Sequence, residues 1–94
     1  MIGFVLKWFK APHVREERAA LAAVMSRQPA TMSELKWGTR EVMGSLTTWA
    51  LLMRLERSGF VSRLYLPDQS APGPLVAHFS LTEAGRDRLR ELMR

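Results

Sequence analysis

The feature that most restricts the fold of this chain is a pair of short strand-like segments that flank a loop. Residues 60–66 are rich in β-branched and aromatic side chains, and residues 75–81 alternate between their two faces. The intervening residues 67–74 include three prolines and a glycine, which are typical of a loop. This pattern predicts two strands joined by a long turn. One face of the second strand is formed by Ala77, Phe79 and Leu81.

Two helices are predicted near the start of the chain. The first covers residues 13–27, with Pro12 in its first turn, because this stretch is rich in alanine, glutamate and arginine. A Thr-x-x-Glu capping box that starts at Thr31 begins the second helix, which we expect to run from about Met32 past Gly38 to Met43. The apolar stripe of the first helix is Val14, Leu21, Val24 and Met25.

Two further helices flank the strands. The third covers Leu46–Arg57 with Ser45 as its N-cap, and Gly59 is expected to end it in a left-handed conformation. The fourth covers Glu83–Arg94 and is capped by Thr82. Side chains at i, i+3, i+4 and i+7 form the inner face of the third helix: Thr48, Leu51, Leu52 and Leu55.

The order of these elements predicts an α+β fold that is mostly α. Three helices, a two-stranded wing and a C-terminal helix form the winged helix-turn-helix arrangement. We assign residues 13–94 to this domain and residues 1–12 to an apolar N-terminal segment with a candidate role in dimerisation. A chain of 94 residues leaves no room for a second domain.

The composition favours an anionic partner and gives no sign of catalysis. Fourteen Lys and Arg stand against nine Asp and Glu, a net charge of +5, which suits nucleic acid or an acidic membrane surface. There is no cysteine, no zinc-ligand spacing and no glycine-rich phosphate loop, and His13 and His78 are far apart. We therefore expect no enzyme, no cofactor and no metal site. No apolar run approaches a membrane span, so a cytoplasmic protein is expected.

Two stretches resemble winged-helix transcriptional regulators. Residues 47–61, from Thr47 to Val61, are similar to the recognition helix and following turn of PadR-type proteins, with Trp49 where that family usually has tyrosine. Residues 81–86, Leu-Thr-Glu-Ala-Gly-Arg, are similar to the segment after the wing in PadR-type and MarR-type proteins. The resemblance implies a cytoplasmic, homodimeric regulator that binds double-stranded DNA, usually as a repressor, with its third helix in the major groove.

The candidate DNA-binding residues lie on and beside the third helix. The resemblance places Ser45, Thr47, Trp49, Ala50 and Arg54 towards the groove. Hydroxyl groups of Ser45, Thr47 and Thr48 can donate to bases or phosphates, and basic side chains can neutralise phosphates. The basic candidates are Lys36, Arg40, Arg54, Arg57 and Arg63, with Lys7, Lys10, Arg15 and Arg18 as additions.

The apolar N-terminal segment has three interpretations. It can pack against a second subunit, fold back on its own core, or, less favoured, attach to a membrane surface. The first interpretation predicts a homodimer in which the C-terminal helix also takes part. The candidate dimerisation residues are Ile2, Phe4, Val5, Leu6, Trp8, Phe9, Leu89, Leu92 and Met93.

A different class of function stays open beside DNA binding. Many winged helices bind proteins, and Trp49, Met53 and a wing without lysine or arginine from Leu64 to Ser80 suit an apolar partner. Such a chain is a protein–protein interaction module without DNA binding. The resemblance also leaves open a small-molecule effector, which nothing in the sequence supports. Three tryptophans are the candidates to line its pocket: Trp8, Trp37 and Trp49.

Overall fold

The computed structural model describes residues 2–68 and 73–94, with side chains from residue 14 onward. Within these ranges the chain has the predicted α+β fold of helices and one small antiparallel sheet. The side chains of the apolar N-terminal segment and the loop residues 69–72 lie outside the description. The elements are α1 Ile2–Arg27, β1 Ala30–Thr31, α2 Met32–Gly38, α3 Ser45–Arg57, β2 Val61–Leu66, β3 Val76–Leu81 and α4 Glu83–Leu92.

The predicted pair of strands is confirmed. β2 and β3 pair antiparallel from Val61 opposite Leu81 to Leu66 opposite Val76. A third strand, β1, was not expected from the sequence because two residues carry no readable alternation. It pairs with the other edge of β3, so that Ala30 lies opposite Phe79 and the strand order is β1-β3-β2. This short edge strand directly precedes α2, so its pairing with β3 fixes the start of α2 against the central strand of the sheet.

Helix α1 is longer than predicted. We expected a start at Pro12, but the helix begins at Ile2 and continues through the proline to Arg27. Proline removes one backbone donor and disturbs one turn, while the sequence on both sides still favours the helix. The predicted stripe is half right, because Leu21 and Val24 are buried whereas Val14 and Met25 are each 42% exposed. No helix in the described part of the chain is both long and apolar enough to cross a bilayer.

Helix α2 is shorter than predicted. Its capping box is present, with Thr31 accepting from the Glu34 backbone and Glu34 accepting from the Thr31 backbone. Donation from the Thr31 backbone to the Glu34 carboxylate, with smaller contributions from Arg27 and the Thr31 hydroxyl, lowers the pKa of Glu34. The expected extension to Met43 is wrong, since the helix ends at Gly38 and Thr39 turns its hydroxyl back to the Leu35 carbonyl at 2.9 Å.

Helix α3 begins one residue earlier than expected. Gly44 is its N-cap and Ser45 its first residue, so the prediction of Ser45 as a capping side chain is wrong. The predicted inner face is confirmed, because Thr48 and the three leucines that share its face are all buried. Gly59 has φ +83°, the left-handed conformation expected after the helix. The core is completed by residues of α1, β2 and β3, with Phe79 its largest fully buried side chain.

A close backbone contact fixes the start of α4 against the turn that follows α3. The Phe60 carbonyl accepts from the Thr82 backbone at 3.1 Å, and the Thr82 hydroxyl donates to the Gly59 carbonyl at 2.6 Å. A Cβ atom on Gly85 would lie 1.9 Å from the Phe60 carbonyl oxygen. Glycine is therefore required at this position by space, which gives a physical reason for the Leu-Thr-Glu-Ala-Gly stretch.

We predict that Gly85→Ala destabilises the fold strongly. The new methyl group overlaps backbone and not a flexible side chain, so the free energy of unfolding should fall by about 3 kcal/mol in urea denaturation. Gly38→Ala is the matched control, because its Cβ would make an ordinary 3.5 Å contact with the Ala23 Cβ. The control should lose less than about 0.5 kcal/mol. Equal losses in the two variants would contradict the close-contact explanation.

Candidate nucleic-acid interface

Two buried threonine hydroxyls hold α3 against the end of α2. The Thr39 and Thr48 side-chain oxygens are 2.8 Å apart, and both residues are almost fully buried. The Thr48 hydroxyl also lies 3.1 Å from the Gly44 carbonyl, to which it can donate. This directional contact crosses from the α2–α3 turn to the first turn of α3. It therefore fixes the rotation of α3 about its own axis.

The same contact corrects one predicted site residue. Thr48 was expected to donate to bases or phosphates, and this is wrong. Its side chain has no exposed surface, and its hydroxyl is engaged inside the protein. The signal was available in the sequence, since Thr48 shares the helical spacing of Leu51, Leu52 and Leu55.

The outward face of α3 is a ridge of mostly apolar side chains. At about 3.6 residues per turn, Leu46, Ala50, Met53 and Arg57 lie opposite the buried face. Leu46 is 79% exposed, the largest exposed fraction among the large hydrophobic side chains of the described residues. Thr47 and Arg54 lie on one flank of the ridge, and Trp49, 48% exposed, lies on the other. Ser45 is exposed in the first turn.

A tryptophan at the end of α2 and an arginine in the turn that follows it form a stacked pair. The Arg40 guanidinium lies 3.7 Å from the centre of the Trp37 ring and donates to the Trp37 carbonyl at 2.7 Å. The ring is 68% exposed and Arg40 is exposed as well. The stack orders a flexible side chain while its charge stays accessible to solvent. The sequence predicted Arg40 as a site residue but not its tryptophan support.

On the α1 side of α3, a buried carboxylate bridges three helices. Glu17 accepts from Arg88 Nε at 2.6 Å and lies 3.9 Å from the Arg54 guanidinium. The hydrogen bond to Glu17 raises the pKa of Arg88. Arg54 stays 44% exposed in its side chain, so its charge is partly offset but accessible.

On the wing side of α3, Arg63 braces the helix to β2. Its guanidinium donates to Glu56 at 2.6 and 3.1 Å, to the Tyr65 hydroxyl at 3.2 Å and to the Met53 sulfur at 3.0 Å. The hydrogen bond to Tyr65 and the pairing with Glu56 raise the pKa of Arg63. Its predicted role at DNA stays untested, but its donors and its charge are already engaged within the fold.

The remaining basic candidates differ in exposure. Arg57 is exposed at the last turn of α3 and has no acidic partner within the part of the chain that the structure describes. Lys36 is half-buried on α2, and the turn after it also carries exposed Glu41. Along the wing, Leu64, Tyr65 and Leu75 are exposed. The accessible positive charges of α3 and of the turn before it are thus Arg40, Arg54 and Arg57.

Two other groups of predicted residues are only partly placed. Leu89 is buried in the core, so its predicted place in a subunit interface is wrong. Leu92 packs against the core, and Met93 is 65% exposed. The six dimerisation candidates between Ile2 and Phe9, and Trp8 of the proposed effector pocket, lie outside the described side chains. Among the described residues, no three histidine or carboxylate side chains come together as metal ligands.

Comparison with solved structures shows what fold this is. A PadR-like transcription factor from Bacteroides fragilis superposes with a TM-score of 0.72 at 22% identity over 94% of this chain and 84% of its own. A PadR-like transcriptional regulator from Bacillus cereus superposes with a TM-score of 0.70 at 16% identity, over 82% of this chain and 76% of its own. A Listeria innocua protein of unknown function superposes with a TM-score of 0.65 at 20% identity, over 83% of this chain. The chain shares its winged-helix fold with the PadR-like regulators.

One of these superpositions covers only part of the other protein. The chain spans 49% of the Listeria innocua protein, about half its length. The sequence matches no protein-family model and no curated protein. All three superpositions therefore rest on shared geometry at low sequence identity.

We predict that Glu17→Gln is destabilising and that Glu91→Gln is not. Both carboxylates face Arg88, but Glu17 is buried at 2.6 Å whereas Glu91 is 63% exposed at 3.9 Å. Loss of the buried charged hydrogen bond should lower the free energy of unfolding by about 2 kcal/mol, and loss of the exposed pair by less than about 0.5 kcal/mol. Urea denaturation of both variants measures the difference. A small effect at Glu17 would contradict its role as a bridge between helices.

Proposed function

We propose that this protein is a sequence-specific regulator of transcription that binds double-stranded DNA through α3 and has no enzymatic activity. The observation that carries the proposal is the outward face of α3. It is exposed on a fold shared with PadR-like regulators and ends in Arg57, with Arg54 on its flank and Arg40 exposed in the turn that leads into the helix. A helix held in this way fits the major groove of B-DNA, with its first turns towards the base edges.

The flanking charges supply the affinity in this proposal. DNA carries one negative charge per ~1.7 Å of axis, and each lysine or arginine that neutralises a phosphate releases a counterion. Arg40, ordered on Trp37, and Arg57, free of acidic partners among the described residues, are best placed for such contacts. Thr47, exposed on one flank of the ridge, is the hydroxyl donor for a base or a phosphate.

The regulator acts as a homodimer in the cytoplasm, and as a repressor that blocks access to its operator. Two copies on a two-fold axis would read half-sites about 34 Å apart and double the contacts of a small domain. The support is the N-terminal segment, where six of the eight residues from Ile2 to Phe9 are large and apolar and the backbone continues the helix of the domain. A segment of this composition is costly to leave in water.

A protein ligand is the second candidate function. Trp37, Leu46 and Trp49 are exposed together on α2 and α3, and aromatic side chains are enriched at protein interfaces. In this alternative the domain is an interaction module and α3 docks an apolar partner. Binding of DNA and its dependence on salt separate the two candidates.

We predict that binding to random-sequence duplex weakens with salt and that Arg40→Ala and Arg57→Ala each reduce this dependence. The slope of log K against log salt should fall by about 1 for each phosphate contact that is lost. Arg90→Ala is the control, because Arg90 lies on α4, is 74% exposed and pairs with Asp87. Titration by fluorescence anisotropy between low and moderate salt gives the slopes. If no salt-dependent binding occurs, DNA is not the ligand.

We predict that the chain is a dimer at micromolar concentration and that Phe4→Glu with Phe9→Glu makes it monomeric. Charge in an apolar interface is costly, whereas the folded domain beyond residue 14 should keep its urea transition. Ala22→Glu, at an exposed position on the same helix, is the control and should stay dimeric. Sedimentation equilibrium measures the mass. A monomeric parent protein would contradict the dimer and favour a segment that folds back on its own core.

A further inference from the structure

The first two turns of α3 lack the side chains that commonly read bases. Residues 45–53 contain no arginine, lysine, asparagine, glutamine, aspartate or glutamate. Their exposed members are Ser45, Leu46, Thr47, Trp49 and Ala50. Thr48 is buried, so only two hydroxyl groups at this end of the helix can form hydrogen bonds with a ligand.

This inventory restricts what the helix can recognise. Bidentate recognition of guanine needs arginine or lysine, and that of adenine needs asparagine or glutamine. The only methyl group on a base edge in the major groove is the C5-methyl of thymine, and apolar side chains contact it. Leu46 and Ala50 occupy the centre of the outward ridge, one turn apart, where the helix would approach the base edges most closely.

We infer that α3 discriminates sequences by apolar contacts of Leu46 and Ala50 with thymine methyl groups, and that Leu46 is a specificity-determining residue. The inference rests on the proposed function and names what that site reads. Trp49, half-exposed on the wing flank, extends the apolar surface beside the two residues. Thr47 on the opposite flank adds a hydroxyl group and a methyl group.

The charges around the ridge favour DNA over a protein as the occupant of this apolar face. Arg54 is exposed on its flank, Arg57 continues the ridge at its end, and Arg40 is exposed in the turn that leads into α3. Glu56 on the wing flank is neutralised by Arg63, and Glu41 is the exposed acidic residue in the adjoining turn. An apolar strip bordered by cations matches a groove in which methyl groups lie between two phosphate backbones.

The test compares thymine with uracil in the same duplex. Uracil pairs with adenine through the same hydrogen bonds but lacks the C5-methyl group. A bound duplex is first selected from random sequences, and its thymines are then replaced by deoxyuridine one at a time. Loss of one contacted methyl should weaken binding about fourfold. Replacements outside the protected half-sites should have no effect and serve as the control.

The second arm repeats the comparison with Leu46→Ala. Leu46 is 79% exposed, so its truncation leaves the packing of the core unchanged. The variant should bind the thymine and uracil duplexes nearly equally at the position that Leu46 contacts. Met25→Ala, which removes an exposed apolar side chain from α1, should keep the parent's preference. Retention of the preference in Leu46→Ala would overturn the assignment.

The outcomes separate the inference from the function on which it rests. Salt-dependent binding to the selected duplex without any sensitivity to uracil leaves DNA binding in place and overturns methyl recognition. Absence of salt-dependent binding overturns both proposals. If Leu46→Ala leaves DNA binding unchanged but abolishes capture of a protein ligand, the apolar face belongs to a protein interface and the inference is wrong.

Discussion

The surface that α3 presents depends on the contact between the Thr39 and Thr48 hydroxyls. The three leucines on the inner face of the helix provide most of its burial, but apolar packing has little direction and tolerates a small rotation. The hydrogen bond between the two buried hydroxyl oxygens, 2.8 Å apart, does not tolerate it, because rotation would break this bond where water cannot replace it and leave each hydroxyl with a backbone carbonyl alone. Any such rotation would also turn Leu46 and Ala50 away from the direction in which the outward face of α3 points.

The basic residues of this chain divide into braces and accessible charges. Glu56 of α3 holds Arg63 of β2, while Glu17 of α1 holds Arg88 of α4 and lies 3.9 Å from Arg54 of α3. The two carboxylates therefore connect opposite flanks of α3 to β2 and to α1. Arginine suits this task because its planar group donates several hydrogen bonds at once. The net charge of +5 therefore overstates what faces a ligand. Arg63 and Arg88 are engaged in holding the elements together, so their charges are not available to a ligand.

The parts of the fold that sequence reasoning captured are those set by local periodicity. The inner face of α3, the capping box at Thr31 and the glycine turn at Gly59 follow from spacing within a few residues. The end of α2 was wrong because the burial of Thr39 depends on its neighbour Thr48, and β1 was missed because it exists only through pairing with β3. At the site, the pairing of Glu17 with Arg88 could not be predicted either, because the two residues are 71 positions apart in the sequence.

The wing contributes little positive charge to the surface of the domain. From Leu64 to Ser80 it has no lysine or arginine, and its exposed side chains include Leu64, Tyr65 and Leu75. In the proposed complex with DNA, phosphate contacts would therefore be concentrated around α3, and about three accessible cations would give a log-log salt slope near 3 for one chain and twice that for a pair. Under this proposal, weak general attraction to DNA would make the base contacts a larger share of the binding free energy. Discrimination by apolar contacts, which salt does not screen, fits a surface with few cations and a prominent leucine.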